Sequence, residues 1–142
     1  MEKFDNKFML TIDAKLVNEG FIRSMIAAFC VPLNPSISEI NDIKTAVSEA
    51  VTNCIVHGYA GAGGDIEILV GIRKNVVFIK ISDHGIGIED IDRARQPFFT
   101  TKSKEERSGM GFTLMESFMD TITVYNNKSG GVTVELSKEI KK

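Results

Sequence analysis

Cysteine and histidine are both scarce in this chain of 142 residues, with two of each. Cys30 and Cys54 have no C-x-x-C spacing and no cluster of histidines beside them. Neither a disulfide framework nor a zinc site is indicated, and the two thiols read as small buried hydrophobes in a reducing compartment. An excess of one charge is missing as well. Seventeen Lys and Arg against nineteen Asp and Glu leave a net charge of -2 with the signs interspersed. That balance gives no electrostatic footprint for a phosphate backbone, so direct nucleic-acid binding is not expected. Long apolar runs are lacking too. The start, MEKFDNKF, has no apolar signal region, and the best run, FIRSMIAAFCVPL, is short and broken by Arg23. No membrane partner is expected, and the cytoplasm is the expected location. There is no Walker A motif, internal repeat or interdomain linker, and the length fits one domain over 1–142.

What is present is periodicity and glycine. FMLTID reads as a strand, and KLVNEGFIRSMIAAFC places Leu16, Phe21, Met25, Ile26 and Phe29 at helical spacing before Pro32. The next helix opens with a capping box, Ser36 capping and Glu39 reaching back, and its apolar face is Ile40, Ile43, Val47, Val51 and Cys54. DIEILVGI and NVVFIKISD form a hairpin; TITVYNN and VTVELS form another around a Ser-Gly-Gly turn. Between the hairpins, Phe112, Met115, Phe118 and Met119 resume helical spacing. The expected fold class is α+β: a two-layer sandwich with a mixed, mostly antiparallel sheet and helices on one face.

Three groups of residues carry chemistry. Glu49 and Asn53 lie one helical turn apart, off the centre of the apolar stripe. They form either a solvated polar face or a carboxylate and amide oxygen working around a metal. An Asn oxygen suits Mg²⁺, which takes few protein ligands. Glu49 can order a metal-bound water or accept a proton from an attacking hydroxyl. In DHGIGI, Asp83 ends a strand and is followed by Gly85 and Gly87. This is an ordinary turn, or else a carboxylate accepting from an exocyclic amine such as adenine's while a flat base slides against glycine backbone. In TTKSKEERSGMGF, Gly109, Met110 and Gly111 open a helix, whose first N–H groups favour phosphate. Leu114 replaces the third glycine of a dinucleotide fingerprint. Lys102, Lys104 and Arg107 add charge, and the polar stretch 89–108 has the composition of a lid or a solvated connector.

Taken in order, Glu49 with Asn53, DHGIG, GMGF and GGVTVEL resemble the Bergerat-fold (GHKL) ATPases, the group of DNA gyrase, Hsp90-type chaperones, mismatch-repair ATPases and histidine-kinase ATP domains. The resemblance implies ATP and Mg²⁺ as cofactors, with Mg²⁺ on Asn53. It implies that Asp83 reads adenine with Thr133 nearby, and that Gly85, Gly87 and Ile88 line the base pocket. Thr100, Thr101, Lys102, Arg107, Ser108, Gly109, Met110 and Gly111 then close over the phosphates. Within that group VSEAVTNCIVHGY and RARQPFFTTKSKEERSGMGFTLMESFMD resemble the bacterial anti-sigma factor serine kinases, over about 7–136, and the sporulation branch more than the general stress branch. The implied activity is double: silencing a sigma factor, and phosphorylating a serine of an anti-anti-sigma protein with Glu49 as general base. A homodimer is implied as well. Glu19 and Arg23, one turn apart with Phe21, Met25 and Ile26 committed to burial, are expected to project outward as a partner contact or a plain surface ion pair.

Rival readings differ in what else they need. A histidine kinase would carry a phosphoacceptor helix pair ahead of the ATP boxes, and an ATP hydrolase would carry a transducer domain. A nucleotide-gated module that only sequesters its partner needs nothing more.

Overall fold

The computed structural model describes residues 3–59, 63–89, 91–95 and 111–141. Strand β1, Asn6–Asp13, leads through a 3₁₀ turn, Leu16–Asn18, into helix α1, Glu19–Cys30. A second 3₁₀ turn, Val31–Leu33, contains Pro32, and Asn34 follows in the left-handed region with φ 55°. Helix α2, Ile37–Asn53, begins at the capping box: Glu39 N donates to Ser36 Oγ at 3.0 Å and Ser36 N to Glu39 Oε1 at 2.9 Å. Reciprocal capping satisfies two donors that a helix start leaves open. At its C-terminal end α2 widens into a π-helical turn, Cys54–Gly58, closed by the main-chain bond from Tyr59 N to Cys54 O.

Strands β2, Asp65–Arg73, and β3, Val76–Ser82, form the first hairpin. After α3, Ile91–Ala94, and α4, Gly111–Phe118, the strands β4, Thr121–Asn126, and β5, Val132–Glu139, form the second. The sheet order is β1-β2-β3-β5-β4. The sequence allowed a mixed sheet, but every pairing among the described residues is antiparallel. β5 enters between β3 and β4 and runs against both, so β3 and β4, which share a direction, never pair.

Alternation along the strands decides the layers. Ile66, Ile68 and Val70 of β2, Val77, Ile79 and Ile81 of β3, and Val134 and Leu136 of β5 join one core with Ile43, Val47 and Val51 of α2 and Met115 of α4. The opposite face of the sheet carries no helix among the described residues, and Met9 there is 75% exposed. Of the row expected on helix α1, Ile26 is buried, while Leu16 lies ahead of the helix and is 62% exposed. The buried face of α1 is Ile22, Ile26 and Cys30, while Phe21 is 56% exposed. Packing of α1 on α2 selects that i, i+4, i+8 row, and Phe29 instead meets Phe8 of β1 edge to face, with ring centroids 4.7 Å apart. The helical stretch Leu16–Leu33 is long and apolar enough to span a bilayer by length and composition, and the row Ile22, Ile26 and Cys30 is its buried part within α1.

Candidate functional site

The last two turns of α2 and the first residue of α4 make one end of the site. Ala46, Val47 and Ala50 fill the buried face of α2, which leaves Glu49 and Asn53 half-buried on its flank. Gly111, buried at the start of α4, lies against both. A Cβ built there would stand 3.3 Å from Asn53 Nδ2, 3.4 Å from Asn53 Oδ1 and 3.5 Å from Glu49 Oε1. A side chain at 111 would therefore crowd the pair from above. Among the described residues, no three His, Cys, Asp or Glu side chains group as a metal site would require. A carboxylate beside an amide oxygen nevertheless fits a Mg²⁺ ion whose other ligands are phosphate oxygens and water.

The other end is built around Asp83, which is 2% exposed just past the end of β3. Its Oδ1 accepts from Gly85 N at 2.9 Å and from Val132 N at 3.1 Å, and its own N–H donates to Val132 O. A buried carboxylate requires such donors. Two glycines let main chain approach that close. A Cβ on Gly58 would stand 2.6 Å from Asp83 Oδ2, and one on Gly85 would stand 1.8 Å from the Gly58 carbonyl oxygen. That carbonyl accepts from Ile86 N at 2.9 Å, so the π-helical end of α2 is stitched to the glycine loop. Burial, then the Asp83 carboxylate beside it, pushes the Cys54 thiol well above its ordinary range, and it stays a neutral neighbour of the acid.

Gly87 has φ +77°, and a Cβ on it would meet Gly130 O at 2.7 Å and Asn126 Oδ1 at 2.8 Å. Ile88 is gripped on both sides of its peptide: its N–H donates to Asn126 Oδ1 and its carbonyl accepts from Asn126 Nδ2, each at 2.8 Å. Thr133, 1% exposed on β5, pairs in register with Ser82, and their hydroxyls lie 2.8 Å apart, one residue from Asp83.

Thus Glu49, Asn53 and Gly111 meet at one end, and Asp83, Gly85, Gly87, Ile88 and Thr133 meet at the other. Thr100, Thr101, Lys102, Arg107, Ser108, Gly109 and Met110 lie outside the described residues. Glu19 and Arg23 form their ion pair at 3.6 Å, but they do not simply project outward. Ser48 Oγ of α2 donates to Glu19 Oε2 at 2.6 Å, and Arg23 keeps a buried Nε without a hydrogen-bond partner. The sequence reading passed over Gly58, Asn126, Asn127 and Gly131. Each acts through a contact with a residue far away in sequence. Only the dipeptide Asn126-Asn127 closing a strand offered a signal, since Asn favours turns.

Residues 12–138 match the histidine kinase-like ATPase domain model. The chain is 49% identical over 138 residues to the anti-sigma F factor of Thermoanaerobacter sp. (strain X514), covering 97% of this chain and 96% of that protein. It is 46% identical over 138 residues to the anti-sigma F factor of Bacillus licheniformis, covering 96% and 94%. In fold it is similar to the solved RsbU and RsbW domains of a Mycobacterium tuberculosis protein, with TM-score 0.65 and 20% identity over 95% of this chain and 32% of that one. The chain belongs to the anti-sigma F factors, within the histidine kinase-like (GHKL) ATPase domain family.

Proposed function

We propose that this protein binds and silences a sporulation sigma factor and uses Mg-ATP to phosphorylate a serine of an anti-anti-sigma partner. The observation that carries the kinase half is the meeting of Glu49, Asn53 and Gly111 at the start of α4. A general base, a hard oxygen ligand and the first residue of a helix stand within one small volume there. Chain-long identity to proteins named anti-sigma F factor supports the silencing half.

Phosphoryl transfer asks for positioning and charge neutralisation rather than covalent help. In the proposed step the partner's serine oxygen bonds to the γ-phosphorus. The bond from that phosphorus to the β,γ-bridging oxygen breaks, ADP leaves, and Glu49 accepts the serine proton. Asn53, with Glu49 beside it, would hold Mg²⁺, which when bound neutralises charge on the phosphates. Lys102, Arg107 and the N–H groups opening α4 would face the same oxygens. Asp83 accepts from the adenine amine, with Thr133 beside it and Gly85, Gly87 and Ile88 along the base. A surface ordered by the γ-phosphate would differ between the ATP and ADP forms, which links nucleotide state to partner choice. Partners of this kind place the reaction in the cytoplasm, and the active form is a homodimer.

The test is incubation with labelled ATP and a candidate serine-bearing antagonist. Acid-stable label on the antagonist supports the kinase. Tight partner binding without label would leave a nucleotide-gated sequestering module in its place.

A further inference from the structure

The turn between β4 and β5 contains a side chain that the reading above does not use. Asn127 Nδ2 donates to the main-chain carbonyl of Asp83 at 2.9 Å and to Thr133 Oγ1 at 3.1 Å. Its Oδ1 accepts from the N–H groups of Ser129 and Gly131, both at 3.1 Å, and from the Ser129 hydroxyl at 2.6 Å. An amide offers two N–H donors and one acceptor oxygen, and here all of them are engaged. The bonds to Oδ1 stay inside the turn and would suit any Asn-stabilised hairpin. The bonds from Nδ2 leave the turn: one reaches 44 residues back along the chain to the end of β3, and the other reaches 6 residues forward to Thr133 on β5.

What Asn127 holds is the frame of the Asp83 carboxylate. Val132 N, just past the turn, is one of the two donors to Asp83 Oδ1. A Cβ on Gly131 would stand 2.2 Å from the Asp83 carbonyl oxygen, so turn and strand end are already in contact. A second brace ties the same turn outward. The His84 ring joins Ser129 Oγ at 2.6 Å to Glu67 Oε2 of β2 at 2.7 Å.

We infer that Asn127 is a positioning residue of the base pocket: by gripping the Asp83 carbonyl and the Thr133 hydroxyl, it aims the carboxylate that distinguishes a base bearing an amine from one bearing a carbonyl. The inference rests on the proposed reading of Asp83 as the group that meets the base. A displaced carboxylate loses part of its bond to the amine and part of its repulsion of a carbonyl.

The probes are ATP and ITP, which differ at that position by amine against carbonyl. Equilibrium binding of each is measured for the full chain, Asn127→Ala, Asn127→Asp and Asp83→Asn, with thermal melts alongside. Asn127→Asp keeps the acceptor that organises the turn and removes both outgoing donors. It is expected to weaken ATP binding by roughly 3- to 10-fold, the loss of one or two neutral hydrogen bonds, and to narrow the ATP-to-ITP ratio. Asn127→Ala is expected to narrow the ratio at least as far. A purely structural role would lower the melting temperature and leave the ratio at its wild-type value in both variants, and that result overturns the inference. If Asp83→Asn also keeps the wild-type ratio, the reading of Asp83 fails and takes the inference with it. If Asp83→Asn narrows the ratio and the Asn127 variants do not, the inference alone fails.

Discussion

The two ends of the site are built by different means. At the Asp83 end, proposed to hold the base, main chain does the shaping: Gly58, Gly85 and Gly131 allow three segments to close on one buried carboxylate. At the Glu49–Asn53 end, proposed to hold the phosphates, side chains on one flank of α2 do it, and the only close main-chain approach described is Gly111. An end made of backbone is rigid and intolerant of added atoms. An end made of side chains on a helix tolerates substitution in its fold and is sensitive in its chemistry. Damage at the first should therefore cost stability and base recognition together, whereas damage at the second should cost catalysis or metal-dependent nucleotide binding and leave the fold intact.

The largest effect is expected at the phosphate end. Glu49→Gln preserves shape and hydrogen bonding and removes basicity, so transfer to the antagonist should fall by roughly 10²- to 10⁴-fold, with sigma binding and melting temperature unchanged. Transfer at the wild-type rate would remove Glu49 as the base. At the base end the equivalent single-atom change is Gly85→Ala. Its Cβ would collide with the Gly58 carbonyl, which is main chain and cannot swing aside. Overpacking of this kind costs about 1–3 kcal/mol, and urea unfolding should show it together with weakened nucleotide binding. Unchanged stability would mean that the two segments are not in contact.

Asp83→Asn should weaken ATP binding by about 1–3 kcal/mol, since its amide can set a donor against adenine's own donor. Calorimetry giving equal affinities would move base recognition elsewhere. The smallest effect on the site is expected from Arg23→Ala, which lies outside both ends. Its ion pair with Glu19 is worth only about 0.3–0.5 kcal/mol as a surface i,i+4 contact, and ATP affinity should stay as it is. Partner binding in a pull-down should weaken well beyond that figure, because the Arg23 side chain is 40% exposed and its terminal guanidinium nitrogens have donors to offer an acidic surface. Both partners bound at full strength would return Arg23 to a plain ion pair.

The same contrast explains how much could be read from sequence. The nearness of Glu49 and Asn53 was legible because their spacing is local. Glu49 and Asn53 stand i, i+4 on a helix whose start is signalled by Ser36 and Glu39, and the structure has that capping box. The base end was half legible. Asp83, Gly85 and Gly87 announced a turn with a carboxylate, but the partners that press on it, Gly58, Asn127 and Gly131, come from segments that only the folded sheet brings together. Helix α1 shows the limit of periodicity. The expected row Leu16, Phe21, Met25, Ile26 and Phe29 and the buried row Ile22, Ile26 and Cys30 share Ile26 and both fit a helical stripe, and only packing against α2 selects the second.

The most direct test of the account is the Mg²⁺ dependence of ATP binding in Asn53→Ala, measured by calorimetry with and without the metal beside the wild-type protein. Asn53 lies off the core face of α2, so the variant should fold and melt like the wild type. The account predicts that wild type binds ATP more tightly with Mg²⁺ present, and that the variant binds ATP to the same weaker extent whether or not Mg²⁺ is there. A variant whose affinity still rises with Mg²⁺ as far as the wild type's would contradict the assignment of Asn53, and with it the placement of the phosphates at the Glu49–Gly111 end.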